Sequence, residues 1–165
     1  MKKIILIALF LLAFMPTAFA KVQVPEDNRW VYLAGDKKQE DTWMDMYTME
    51  FGKSLKSDYR HKEHKFARLW FMRNLYSDDR RIIAFYEFDL QCRTIRRLSV
   101  TSYDGNGNVL ASLPADYNEK SIIPGTIGEM YLAIALAMEQ IYDDKEKMNE
   151  FYRVCKEDSD KYRKL

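Results

Sequence analysis

Tyr86, Phe88, Leu90 and Cys92 alternate with Glu87, Asp89, Gln91 and Arg93. A period of two sends alternate side chains to opposite faces of a strand, so this segment predicts a strand with one buried face and Cys92 turned inward. Strand-like character continues through Leu98, Val100 and Tyr103. Typical strands are much shorter than that whole run, which requires a bulge or tight turn near Arg93–Arg97. Asp104-Gly105-Asn106-Gly107 then gives a hairpin signal, since Asn and Gly tolerate positive φ, and Val109–Leu113 reads as the returning strand. Strands joined by such short turns pair antiparallel.

The rest of the chain extends the pattern. Arg29–Ala34 is rich in β-formers and ends at Gly35-Asp36, Asp41–Phe51 predicts a second strand of open register, and Phe66–Leu75 a third. In that third strand Phe66, Trp70 and Met72 share one face, with Leu69 and Phe71 on the other. Lys53–Lys65 is the most polar internal stretch and reads as a loop or hairpin connection. After Pro124-Gly125, Thr126 and Glu129 make a capping box ahead of Met130–Met138, which is apolar at nine successive positions. A helix apolar nearly all round is buried, and its alanines allow close approach to a sheet. Asp143 and Glu146 repeat the capping pattern, and Met148, Phe151, Tyr152 and Cys155 fall on one face of a last helix. Strands first and helices last predict an α+β fold, an antiparallel sheet of about five or six strands backed by C-terminal helices. The expected organisation is a lead-in at 21–28, a single domain at 29–155 and a frayed charged tail at 156–165.

Met1–Ala20 has a secretory signal pattern: Lys2 and Lys3, an apolar run over Ile4–Met15, and a small-x-small ending at Ala18-Phe19-Ala20. The run is too short to span a bilayer. Cleavage after Ala20 leaves 145 residues beginning at Lys21, which fits one domain with a sizeable core. The 26 basic residues include the two signal lysines, so 24 remain against 25 acidic ones, a net charge of −1. That balance and export argue against nucleic acid as a partner. No transmembrane anchor remains after cleavage, and Lys21 is not the acylated Cys of a lipoprotein. Periplasmic or secreted localisation is expected. The only cysteines, Cys92 and Cys155, favour a disulfide in an oxidising compartment. Its loop of roughly 60 residues corresponds to about 4 kcal/mol in the chain-entropy model; two buried free thiols are the alternative.

Several landmarks follow one another in order: Trp30, Arg68-Leu69-Trp70, Phe88-Asp89-Leu90-Gln91-Cys92, Arg97, Ser99, Tyr103-Asp104, Gly107-Asn108-Val109 and Ile123-Pro124-Gly125-Thr126 before an apolar helix. In that order, from about Arg29 to Tyr142, the chain resembles the surface-adhesin protein E-like domain family of bacterial exported proteins. The resemblance implies one antiparallel sheet backed by a helix and a binding role at the cell envelope, since the family's named member is an adhesin that binds host matrix and serum proteins. Family members commonly carry a second Cys at the end of the apolar helix, where this chain has Ile141-Tyr142; Cys155 comes thirteen residues after Tyr142. No binding motif transfers residue by residue.

Candidate chemistry is sparse. His61 and His64, with Glu63 between them, are weak metal candidates at helical spacing, opposed by Arg60, Lys62 and Lys65; a solvated loop is the favoured reading. Asp104, Asn106 and Asn108 resemble the start of a calcium loop, but Val109 stands where glycine is required, so a plain hairpin is favoured. Arg93, Arg96 and Arg97, with Arg80 and Arg81 nearby, form a basic cluster that offers an anion or partner contact if its members share a face. The other reading is a charged outer face paired with Glu87 and Asp89. No phosphate-cradling loop, GxSxG or CxxC is present, and a Cys92–His nucleophile pair conflicts with the inward phase of Cys92. The expectation is therefore a non-enzymatic, cofactor-free exported protein that binds an envelope or extracellular protein. The alternative is a periplasmic small-molecule or lipid-binding protein, with the sheet and apolar helix enclosing a cavity.

Overall fold

A computed structural model describes residues 21–55 and 63–165. The signal sequence at 1–20 and His61 lie outside the described residues. Eight strands precede two helices: β1 (Trp30–Gly35), β2 (Glu40–Asp45), β3 (Glu50–Leu55), β4 (Glu63–Leu75), β5 (Arg80–Asp89), β6 (Thr94–Asp104), β7 (Val109–Leu113), β8 (Asp116–Ser121), α1 (Ile127–Ile141) and α2 (Lys145–Lys164). All pair antiparallel in one sheet. The fold is α+β, as the strand-then-helix order predicts, with more strands than expected. Two long strands account for the excess. β4 pairs β2 through Phe71–Leu75 and β3 through Glu63–Arg68, and β6 likewise pairs β7 and β8. Eight strands therefore fill six lateral positions.

Alternation along β4 divides the sheet into two faces. Ala67, Leu69 and Phe71 join Val31, Met44 and Phe88 in one buried cluster with Leu132, Ala135 and Met138 of α1. Tyr131 of α1 stacks on Phe71, ring centroids 3.7 Å apart. Each such fully buried large side chain contributes about 1.5–3 kcal/mol. Met148, Phe151, Tyr152 and Cys155 of α2 pack against the same cluster, as their spacing predicts.

Several local expectations change. The turn after β5 occupies Leu90–Arg93, earlier than the alternation suggests. Asp89 Oδ1 accepts the N–H of Gln91 (3.0 Å) and of Cys92 (2.8 Å), and Arg93 takes a φ of 54°, so the backbone reverses while the sequence pattern continues. Cys92 thus sits in a turn and not on the strand. The Thr126 hydroxyl donates to Ile123 O and caps nothing, while Glu129 reaches back to Gly125 N at 2.8 Å. The second cap is Asp144 in place of Asp143, accepting from Glu146 N and Lys147 N.

The expected frayed tail at 156–165 is the second half of α2, folded against β1. Ser159 Oγ accepts Tyr32 N at 2.8 Å, and Tyr162 stacks on Tyr32 at 4.1 Å and meets the Trp43 edge at 5.7 Å. Arg163 donates to the carbonyls of Pro25, Asp27 and Trp30, which ties the lead-in to the helix. The charges along this segment concealed a buried stripe of two residues, Ser159 and Tyr162. No helix of the described residues is long and apolar enough to cross a membrane.

Candidate functional site

A groove of about 390 Å³ opens between α1 and the β5–β6–β8 part of the sheet. The sequence builds it by keeping the helix-facing phase of the strands while changing residue type. On β4, Arg73 follows Leu69 and Phe71 in that phase; on β6, Arg97 follows Ile95 and pairs Tyr86. Ile82, Ala84 and Val100 give the groove an apolar wall, and Tyr86 and Tyr131 also line it. Lys120 also lines it and pairs Asp116 at 3.1 Å.

The two arginines are incompletely satisfied. Arg73 Nη2 donates to Glu40 Oε2 at 2.6 Å, but its Nε is buried with no hydrogen-bond partner among the described residues. Arg97 has only a 3.4 Å bond from Nε to Pro114 O and no carboxylate partner among the described residues. Burial raises the pKa of both Tyr86 and Tyr131, with Arg73 drawing each back and Arg97 also acting on Tyr86. Both phenols therefore stay neutral at ordinary pH and able to donate. Partly desolvated guanidinium groups beside a neutral phenol are chemically suited to an anionic oxygen pair, because charge-assisted bonds strengthen where water is scarce.

The expected basic cluster does not share a face. Arg97 looks into the groove, whereas Arg96 lies on the opposite face and pairs Glu87 at 2.5 Å, joined there by Arg68. Arg93 sits in the β5–β6 turn, 3.8 Å from Glu129. Of the three, Arg97 alone lines the groove. Arg73, Tyr86 and Tyr131 were not singled out from sequence as site residues. The available signal was an arginine in phase with Leu69 and Phe71; the tyrosines read as ordinary core.

Cys92 and Cys155 are not bonded to each other, which corrects the expected disulfide. Cys155 packs against the helix-side cluster, and burial pushes its thiol up to about 11. Cys92 instead adjoins His64. The His64 Nδ1 lies 2.9 Å from Asp89 Oδ2 and 3.6 Å from Cys92 Sγ, and His64 and Asp89 are both buried. His64 thus stands on a strand, paired with Ser54, and not on the helical turn that the His61–His64 spacing suggested. At the β6–β7 turn, Asp104 accepts from Asn106 N, Asn108 N and Asn108 Nδ2, contacts that hold its carboxyl below the usual range. Those oxygens are engaged in closing the hairpin, in which Gly107 takes a φ of 84°.

No family model, curated protein or solved structure matches the chain.

Proposed function

We propose that the chain is an exported, non-enzymatic binding domain whose groove takes a small anionic ligand with an apolar body. The supporting observation is Arg97, a guanidinium in an apolar-walled groove with no acidic partner among the described residues. Arg73 and Tyr86 line the same groove and add polar groups to it. A ligand carboxylate or phosphate meets the arginines, and its apolar part covers Ile82, Ala84 and Val100. The groove volume lies in the lower part of the range for small-molecule sites, which favours a compact ligand. Native mass spectrometry of protein isolated from the periplasm tests this reading. The expected result is a bound acidic small molecule that is lost from Arg97→Gln; only ligand-free protein in both counts against it.

A second reading, a protein partner as in the adhesin-like family, is favoured by β7. This strand ends the sheet order, and Val109, Leu110 and Leu113 are exposed along it without a Pro or charged residue. Such an edge accepts an added strand from another chain. Cross-linking to envelope and matrix proteins should then give a specific adduct that Leu110→Lys abolishes. No adduct above background with the unaltered protein removes this reading.

A further inference from the structure

We propose that His64, Asp89 and Cys92 bind a transition-metal dication of the zinc type. The site is separate from the groove. His64 and Asp89 belong to the opposite phase of β4 and β5 from Phe71 and Tyr86, and so to the other face of the sheet. Their ligand atoms and Cys92 Sγ all lie within 4.8 Å of one another.

Geometry supports one ion between them. Tetrahedral zinc with bonds of about 2.0–2.3 Å places a nitrogen and a sulfur ligand about 3.6 Å apart and a nitrogen and an oxygen about 3.3 Å apart. The observed Nδ1···Sγ separation is 3.6 Å, and Nδ1···Oδ2 is 2.9 Å, so an opening of a few tenths of an ångström admits the ion. The ligands are held in place beforehand. Asp89 Oδ1 is fixed by the Gln91 and Cys92 amides, which leaves Oδ2 directed at His64. The turn is tied back to β4 by Leu90 N to Lys65 O (3.0 Å) and Lys65 N to Gln91 Oε1 (2.6 Å).

The same geometry argues against a nucleophilic triad. In such a triad the carboxylate and the nucleophile engage different ring nitrogens, so that the imidazole can orient on one and accept a proton on the other. Here Asp89 and Cys92 both converge on Nδ1. The three ligand atoms, all within 4.8 Å of one another, can share one ion instead. On binding, the Cys92 thiol proton leaves to solvent, the imidazole proton resides on Nε2, and a thiolate and a carboxylate balance the dication. A thiolate–imidazole–carboxylate set selects zinc-like ions over magnesium or calcium, which favour oxygen ligands. Lys65, an expected opponent of a cation here, is taken up by Glu139 at 2.5 Å.

Cobalt(II) titration of the reduced chain, followed by absorption and by zinc competition, tests the site. One equivalent should bind with a thiolate-to-cobalt charge-transfer band, and zinc should displace it and raise the melting temperature. Cys92→Ser should remove the band and weaken zinc at least about tenfold, the lower bound of what even a supporting residue costs at metal sites. His64→Gln should weaken zinc similarly, and Cys155→Ser should change neither band nor affinity. Cys92→Ser should also melt as metal-free protein does and lose the zinc-induced shift. Absence of saturable binding, binding without the band, or a band lost with Cys155→Ser in place of Cys92→Ser overturns the proposal.

Discussion

On the face beneath α1, Leu69, Phe71 and Phe88 meet Leu132, Ala135 and Met138 in an apolar cluster. On the opposite face, Asp41, Asp45, His64, Asn74, Glu87 and Asp89 are buried beside Trp43 and Met72. Strand alternation places all six of these polar side chains on the second face. Each has partners there: Asp45 binds Arg29 and Thr48, Asp41 binds Asn74 and Tyr76, Glu87 binds Arg68 and Arg96, and His64 binds Asp89. The first face is held by volume alone, whereas the second combines a smaller apolar cluster of Trp43, Met72 and Tyr162 with these buried hydrogen bonds. Damage to them should therefore differ in kind, a cavity on one side and orphaned polar groups on the other.

The largest expected effect is on the apolar face. Phe71→Ala removes the ring that stacks on Tyr131 and should cost about 3–5 kcal/mol in urea unfolding. A loss below about 1 kcal/mol would mean that α1 does not depend on that cluster. Next is Asp41→Ala, which takes the acceptor from Asn74 Nδ2 (2.8 Å) and Tyr76 Oη (2.6 Å) inside the structure. About 2–3 kcal/mol is expected, with partial recovery in Asp41→Asn, which keeps one acceptor oxygen. Equal stability of Asp41→Ala and the unaltered protein would break the contrast between the faces.

The thiols sharpen the contrast without a large change in stability. Denatured, unreduced protein should titrate two free thiols, since Cys92 and Cys155 are unbonded. In Cys92→Ser, the remaining Cys155 should alkylate very slowly at pH 8, because burial pushes it up to about 11 and only the thiolate reacts. Its rate should rise about tenfold per pH unit until the pH nears that value. Absence of free thiol in the unreduced protein would restore the bridge.

The fold was legible where a local pattern decides the outcome. The Asp104–Gly107 turn, the β7 span Val109–Leu113 and the α2 stripe through Cys155 all follow from turn chemistry or periodicity within a few residues. The errors arose where a tertiary contact competes with local pattern. Asp89 accepts two amides and stops β5 in mid-alternation, so Cys92 leaves the strand that its phase predicted. Tyr162 and Ser159 anchor a segment whose charges suggested fraying. β8, with the polar sequence DYNEKS, has no strand signature and exists because β6 supplies a pairing edge.

The sites were less legible than the fold. Arg97 was singled out, but as one of three arginines that consecutive strand positions and a turn then separate. Its groove partner Arg73 comes from β4, and Tyr131 from α1, at distances that no short motif spans. His64 was a metal candidate with the wrong partner in view, because Asp89 and Cys92 reach it only through the β4–β5 register that sets Phe66 opposite Asp89.

The binding account rests on Arg97, which has no carboxylate partner among the described residues, and calorimetric titration with octanoate and octanol probes it most directly. The two probes share an apolar chain and differ in charge. The account predicts saturable 1:1 binding of octanoate, no comparable binding of octanol, and at least about tenfold weaker octanoate binding to Arg97→Gln, the loss expected for one charge-assisted hydrogen bond. Equal affinity for the acid and the alcohol, or octanoate binding unchanged by Arg97→Gln, would contradict it.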